Sequence, residues 1–266
     1  MDKYGRDPRG RDQYELETRG GRERQYDMGD GQGAVTRQPS AMGYSSGARH
    51  GLPRGLEYLT QVDQLLIQQQ MELCEIFTGC ETNNKYLVSN SMGQQVYSAL
   101  EETNWCTRQC CGPIRPFDMQ LQDGSERQVL QLRRPLRCQG CCCPCCLQEL
   151  EVLSADGQPL GSIRERWTFI KPKLTVHAAD GRHVFTIRGP ICKCSCGGDV
   201  LFRVLTADDE QEVGAIRKQW SGALREFVTD SDTFSVTFPV DLDVSLKATL
   251  LGALFLLDFM FFERSK

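Results

Sequence analysis

Six cysteines crowd into nine residues, Cys138-Gln139-Gly140-Cys141-Cys142-Cys143-Pro144-Cys145-Cys146, out of fourteen in a chain of 266. Two chemistries suit such thiols. The first is zinc, because Cys-x-x-Cys spacing occurs at Cys138–Cys141, Cys142–Cys145 and Cys143–Cys146. A tetrahedral zinc site normally joins two such pairs across a longer loop, and five thiols in six positions are crowded for one ion. Further ligands would come from Cys192-x-Cys194-x-Cys196, three thiols that share one face if they lie on a strand. The second chemistry is S-acylation, which asks for exposed thiols near a bilayer and fits the crowding better. Pro144 keeps the run out of regular helix. Each buried CH₂ contributes about 0.8 kcal/mol, and two acyl chains make a stable anchor. A wholly buried, inert run fits less well, because adjacent residues point to opposite sides.

Other reactive groupings are sparse. The chain has three histidines, and His177 and His183 flank an expected hairpin, where a structural role suits them. No Gly-x-Ser-x-Gly elbow occurs, so a hydrolase is weakly supported and no catalytic triad is expected. With 31 basic and 35 acidic residues the net charge is −4, which gives no general attraction to nucleic acid. Residues 1–51 contain no apolar run of the kind a secretory signal needs, so a cytosolic start with reduced thiols is expected.

These residues need elements to hold them. Residues 1–51 are rich in Gly, Arg, Asp and Gln, and Leu16 and Val35 are their only large aliphatics, so this part reads as a disordered tail that solubilises the chain or binds protein partners. From residue 52 a second domain runs to residue 266. It opens with Leu56, Leu59, Val62, Leu65, Leu66 and Ile67 at near-helical spacing, which predicts a short amphipathic helix. Alternating segments follow at residues 86–88, 95–97, 117–121, 147–153, 174–176, 183–187 and 201–205. Asp123-Gly124, Asp156-Gly157 and Asp180-Gly181 separate several of them, as in hairpins whose two central residues both take positive φ. So many consecutive hairpins predict a mainly antiparallel meander that closes into a barrel or sandwich to remove its edges.

The C-terminus differs. Leu246, Ala248, Leu250, Leu254, Leu257 and Phe262 belong to an apolar run at about 246–262, interrupted by Asp258. Asp241, Asp243 and Ser245 before it suit a helix N-terminus. The run is short of the roughly 20 residues a bilayer asks for, and a carboxylate in hydrocarbon is costly. A helix enclosed on all sides is therefore favoured over a membrane span, and a β-barrel is one enclosure.

Several stretches together are characteristic: Gly55-Leu56-Glu57-Tyr58-Leu59, Glu81-Thr82-Asn83-Asn84-Lys85-Tyr86, Cys110-Cys111-Gly112-Pro113, Arg134-Pro135-Leu136-Arg137-Cys138, Cys141 to Gln148, Asp230 to Asp243 and Asp258-Phe259-Met260-Phe261-Phe262-Glu263. In these the chain closely resembles the phospholipid scramblases, over about residues 52–266. The resemblance implies a tubby-like fold, a closed antiparallel barrel of about twelve strands around a central hydrophobic C-terminal helix. It implies palmitoylation of Cys141, Cys142, Cys143, Cys145 and Cys146, and calcium binding at Asp230, Asp232, Phe234, Val236, Phe238 and Asp241. In that set three residues offer carboxylates and three only backbone carbonyls. Ser235 stands where an EF-hand has Gly, and Asp241 where it has a bidentate Glu, so weak affinity is expected.

The implied activity is calcium-activated, ATP-independent movement of phospholipids between leaflets. The implied setting is the cytosolic face of a membrane, the plasma membrane first, with self-association on calcium binding. The family's C-terminal run is usually described as a single span, at odds with a helix that fills a barrel. A nuclear-import segment would map to Gly214–Trp220, where only Arg217 and Lys218 are basic. The alternative is a palmitoylated, membrane-anchored adaptor without transport activity, since one helix with one aspartate offers a headgroup no polar path.

Overall fold

The computed structural model describes residues 52–70, 83–137, 146–191, 198–219 and 233–263. Twelve antiparallel strands close into a barrel: β1 (Gln64–Gln70), β2 (Lys85–Ser89), β3 (Gln95–Glu102), β4 (Phe117–Asp123), β5 (Gln128–Arg134), β6 (Glu149–Ser154), β7 (Pro159–Arg166), β8 (Lys173–Ala178), β9 (His183–Arg188), β10 (Val200–Thr206), β11 (Glu212–Gln219) and β12 (Thr233–Thr237). Each pairs with its neighbours in sequence, and β1 joins β12 to complete the ring. A seven-residue helix, α1 (Trp105–Cys111), lies between β3 and β4, with the Asn104 side chain accepting from the Cys106 N–H as its cap. The last element is helix α2 (Val244–Phe261).

The expected helix at residues 56–67 is not formed. Glu57–Gln61 make a 3₁₀ turn and the chain then extends into β1, which buries Leu65 and Ile67 on one face. The competing demand is long-range: without β1 the edges of β2 and β12 would stay unpaired.

The alternating segments are all strands, but the turns differ in kind from the expectation. Asp156 and Asp180 do not take positive φ; only Gly157 (φ 76°) and Gly181 (φ 82°) do. In each of these hairpins the glycine N–H bonds back three residues, Gly157 to the Ser154 carbonyl and Gly181 to the Ala178 carbonyl. The result is a three-residue loop with one left-handed residue and a register shift beside it. At Asp123-Gly124 the left-handed position falls on Glu126 instead.

A meander alternates its connections between the two ends of the barrel. The β2–β3, β4–β5, β6–β7, β8–β9 and β10–β11 turns share one end, here the short-turn end. The β1–β2, β3–β4, β5–β6, β7–β8, β9–β10 and β11–β12 connections all emerge at the other, the long-loop end. Because β12 runs toward the short-turn end, α2 enters there and its C-terminus reaches the long-loop end.

Helix α2 fills the lumen. Eight strands leave room only for their own side chains, and a wider ring admits a helix ~10–12 Å across. Leu250, Leu251, Leu254, Phe255, Leu256 and Phe259 are all fully buried, on every face of the helix. Small residues permit the closest approaches: a Cβ at Gly252 would lie 2.8 Å from Val152 Cγ2, and one at Gly161 2.6 Å from the His177 carbonyl oxygen. Among the described residues α2 is the one helix long and apolar enough to cross a membrane, and 89% of it is buried. The enclosed helix expected from its composition is therefore what the fold contains.

Candidate functional site at the long-loop end of the barrel

The C-terminus of α2 meets a buried ionic network. Strand β3 points Tyr97, Ala99 and Glu101 inward in alternation, so a carboxylate is carried on an apolar face. Glu101 is 0% exposed. Its Oε2 accepts from Arg108 Nη2 at 2.6 Å, from Arg115 Nη2 at 2.9 Å and from the Asn84 N–H at 3.2 Å. Its Oε1 accepts from Arg115 Nε and from Thr103 Oγ1, both at 2.7 Å. Burial works to raise the Glu101 carboxyl's pKa, but the hydrogen bonds and charge of Arg115, together with the charge of Arg108, outweigh it and hold it below the ordinary glutamate value.

Arg115 also donates to Glu263 Oε1 at 2.6 Å, and its guanidinium lies 4.8 Å from the Phe259 ring centroid. Asn84 Nδ2 donates to the same Glu263 oxygen at 3.1 Å. Glu263, two residues past α2, is thus tied to the residue before β2 and to the segment before β4. Burial raises the pKa of Glu263 despite these bonds. Alongside, Arg134 on the inner face of β5 donates twice to Gln148 Oε1 and once to the Pro113 carbonyl. Burial beside these neutral acceptors lowers the pKa of Arg134 to about 10.

The two charged residues within α2 have specific partners in the barrel. Asp258 accepts from the Tyr86 hydroxyl at 2.7 Å, and burial followed by the Asp258 charge pushes the Tyr86 phenol well up. At the short-turn end Lys247 is fully buried, and its Nζ donates to the carbonyls of Leu59, Val62 and Val240 at 2.8, 2.8 and 2.7 Å. Burial lowers the pKa of that ammonium. Asp243 caps the helix, its carboxylate accepting from the Ser245 and Leu246 N–H groups. A helix selected only for a lipid environment would have no use for a lysine matched to three carbonyls and an aspartate matched to a tyrosine.

Glu101, Arg108, Arg115 and Lys247 were not singled out from the sequence. A signal was present: Glu101 and Arg134 sit at inward positions of alternating strands, and a charge there demands a partner.

Of the six residues expected to bind calcium, Phe234, Val236, Phe238 and Asp241 are among the described residues. Phe234 and Val236 lie within β12, which is paired on both sides by β1 and β11, so their carbonyls serve the ladder. Phe238 is buried, and its N–H donates to the Asp63 carbonyl. Asp241 follows at the short-turn end, near enough for its charge to act on Lys247. Calcium ligands all lie about 2.3–2.6 Å from one ion. The carbonyls of Phe234 and Val236, committed to the ladders on either side of β12, are not available to such an ion. Asp230 and Asp232 lie outside the described residues, as do Cys141, Cys142, Cys143 and Cys145 of the acylation cluster, Cys192–Cys196 and the tail. Cys146 is half-buried. Among the described residues no three His, Cys, Asp or Glu side chains gather as a metal site. His177 is structural: its ring contacts the Gly181 carbonyl and Thr175 Oγ1 within its own hairpin.

A family model, Scramblase, matches residues 42–264. The chain belongs to the scramblase family. It is 53% identical over 211 residues to phospholipid scramblase 1 of Homo sapiens, covering 79% of this chain and 66% of that protein. It is 52% identical over 214 residues to phospholipid scramblase 2 of Bos taurus, covering 80% and 73%. It is 44% identical to phospholipid scramblase family member 5 of Homo sapiens, covering 80% and 79%. The chain spans about two thirds of the length of the scramblase 1 relatives it matches. A solved structure of an Arabidopsis thaliana protein overlaps with a TM-score of 0.40 at 12% identity, covering 74% of this chain and 93% of that one.

Proposed function

We propose that this protein moves phospholipids between membrane leaflets from the cytosolic face, without ATP and without a covalent reaction. The observation that carries the reading is the extent of its likeness to proteins named phospholipid scramblases, over nearly all of the barrel and helix. Palmitoylation of Cys141, Cys142, Cys143, Cys145 and Cys146 supplies the anchor in this proposal, because α2 is occupied inside the barrel. The plasma membrane is the proposed site, and self-association is part of the proposal, since a single barrel plugged by an apolar helix offers a headgroup no polar path. Calcium activation is its finer part. It rests on the family resemblance and on the carboxylates of Asp230, Asp232 and Asp241, with no contribution from the carbonyls of Phe234 and Val236.

The plugged lumen also favours a second reading, a lipid-anchored adaptor with no transport activity. Purified protein in liposomes holding a fluorescent phospholipid separates the two. An impermeant reductant bleaches only the outer leaflet unless lipid is moved. Calcium-dependent bleaching beyond the outer-leaflet fraction, without ATP, is the scramblase result; bleaching equal to empty liposomes at every protein density is the adaptor result. Calorimetry tests the metal separately: calcium heats equal in wild type and Asp230→Ala would remove Asp230 from the site.

A further inference from the structure

The β7–β8 connection carries the sequence Arg166-Trp167-Thr168-Phe169-Ile170-Lys171, and all six residues are exposed. Phe169 is 88% exposed, Ile170 67% and Trp167 47%. Large apolar side chains this open need a reason, and the barrel offers none. The loop is nonetheless built. The Trp167 and Phe169 rings meet edge to face with centroids 4.7 Å apart, and the Thr168 hydroxyl donates to the Lys171 carbonyl. The order is basic, aromatic, polar, aromatic, aliphatic, basic. Among the described residues neither Arg166 nor Lys171 forms an ion pair.

Its place in the fold matters as much as its composition. The loop emerges at the long-loop end, where the neighbouring connections expose Leu136 (β5–β6) and Ile191 (β9–β10), with Trp105 one connection further round. In sequence, the β5–β6 connection contains Cys141–Cys146 and the β9–β10 connection Cys192–Cys196.

We infer that this loop is a membrane-inserting tip for a bilayer surface carrying anionic lipid. Trp and Phe are side chains of the headgroup–acyl boundary, and flanking Arg and Lys reach lipid phosphates while their neighbours enter the acyl layer. A bilayer receives a narrow convex tip without a complementary pocket. A protein partner would need roughly 800 Å² of matched surface on each side. The inference deepens the proposed function by naming the protein surface that meets lipid, independently of acylation and of transport.

The test uses the full-length, unacylated protein, co-sedimented with vesicles of phosphatidylcholine alone and with phosphatidylserine added. Wild type is expected to bind the anionic vesicles more tightly. Phe169→Ser with Ile170→Ser should lower partitioning at least tenfold on them. Arg166→Ala with Lys171→Ala should lower it about fivefold per residue on anionic vesicles and leave phosphatidylcholine binding unchanged. Because these side chains are exposed, unchanged melting temperatures serve as the folding control. Wild type that binds neither vesicle, or an apolar variant that binds like wild type, overturns the inference. So does a wild-type dimer in solution that the apolar variant abolishes, which would make the loop a protein interface. A variant that loses binding while liposomes with wild type show no lipid movement supports the tip and counts only against transport.

Discussion

Glu101→Gln removes the charge at the centre of the network that holds the end of α2. In the native protein one buried carboxylate serves Arg108, Arg115, Thr103 and the Asn84 backbone. The substitution keeps shape and one acceptor oxygen but leaves two buried guanidinium groups short of a counter-charge. Arg115 retains Glu263, whereas among the described residues Arg108 keeps a single further side-chain contact, with Asn83 Oδ1 at 3.4 Å. Breaking a buried pair by removing one partner costs about 3–5 kcal/mol. At about 2–4 °C per kcal/mol for a domain of this size, the melting temperature should fall by roughly 10 °C. Urea and thermal denaturation, each followed by circular dichroism, read this directly. Glu102→Gln, one residue on and exposed, is the control and should change stability by less than about 0.5 kcal/mol. A loss of under about 1 kcal/mol for Glu101→Gln would refute the claim that the network anchors the helix end.

Other outcomes follow from the same contacts. Lys247→Met leaves three carbonyls without their donor, so a loss of about 3 kcal/mol is expected, with faster amide hydrogen exchange around Leu59 and Val62 as the local sign. A carboxyl held below its unfolded value, as Glu101 is, contributes stability that is present above that value and lost as pH falls through the folded one. Wild type should therefore lose stability in acid below the ordinary glutamate range, and Glu101→Gln should show a shallower acid limb in pH-dependent urea titrations. Gly161→Ala forces a Cβ against the His177 carbonyl of the neighbouring strand and against Thr249 of α2. A loss of about 1–3 kcal/mol by chemical denaturation is expected.

The meander was legible because one buried face forces alternation, and the turn residues punctuate it. Closure was not: β1 reads as helical by spacing at Leu56 to Ile67, and only its distant partner β12 makes it a strand. The Asp-Gly pairs located the hairpins but not their type, since the left-handed position shifts within the loop, to Gly157 in one and Glu126 in another. The short helix α1 was missed because seven residues carry little periodicity. Helix α2 was legible from its composition and its aspartate cap, while Lys247, near the start of the run at 246–262, reveals its three carbonyl partners only in the fold. The calcium set illustrates the reverse: alternation at Phe234, Val236 and Phe238 already pointed to a strand, and the structure commits two of those carbonyls to its ladders.

The central claim is that α2 plugs the barrel while the protein acts at a membrane. Val152 on β6 and Gly252 on α2 approach closely enough that a disulfide between cysteines at both positions needs little movement. The Val152→Cys, Gly252→Cys protein, bound to membranes and mildly oxidised, should form this intramolecular bridge, identified by peptide mass spectrometry. If instead no bridge forms and the thiol at position 252 reacts with a lipid-soluble maleimide from within the bilayer, the helix is outside the barrel and the account is contradicted.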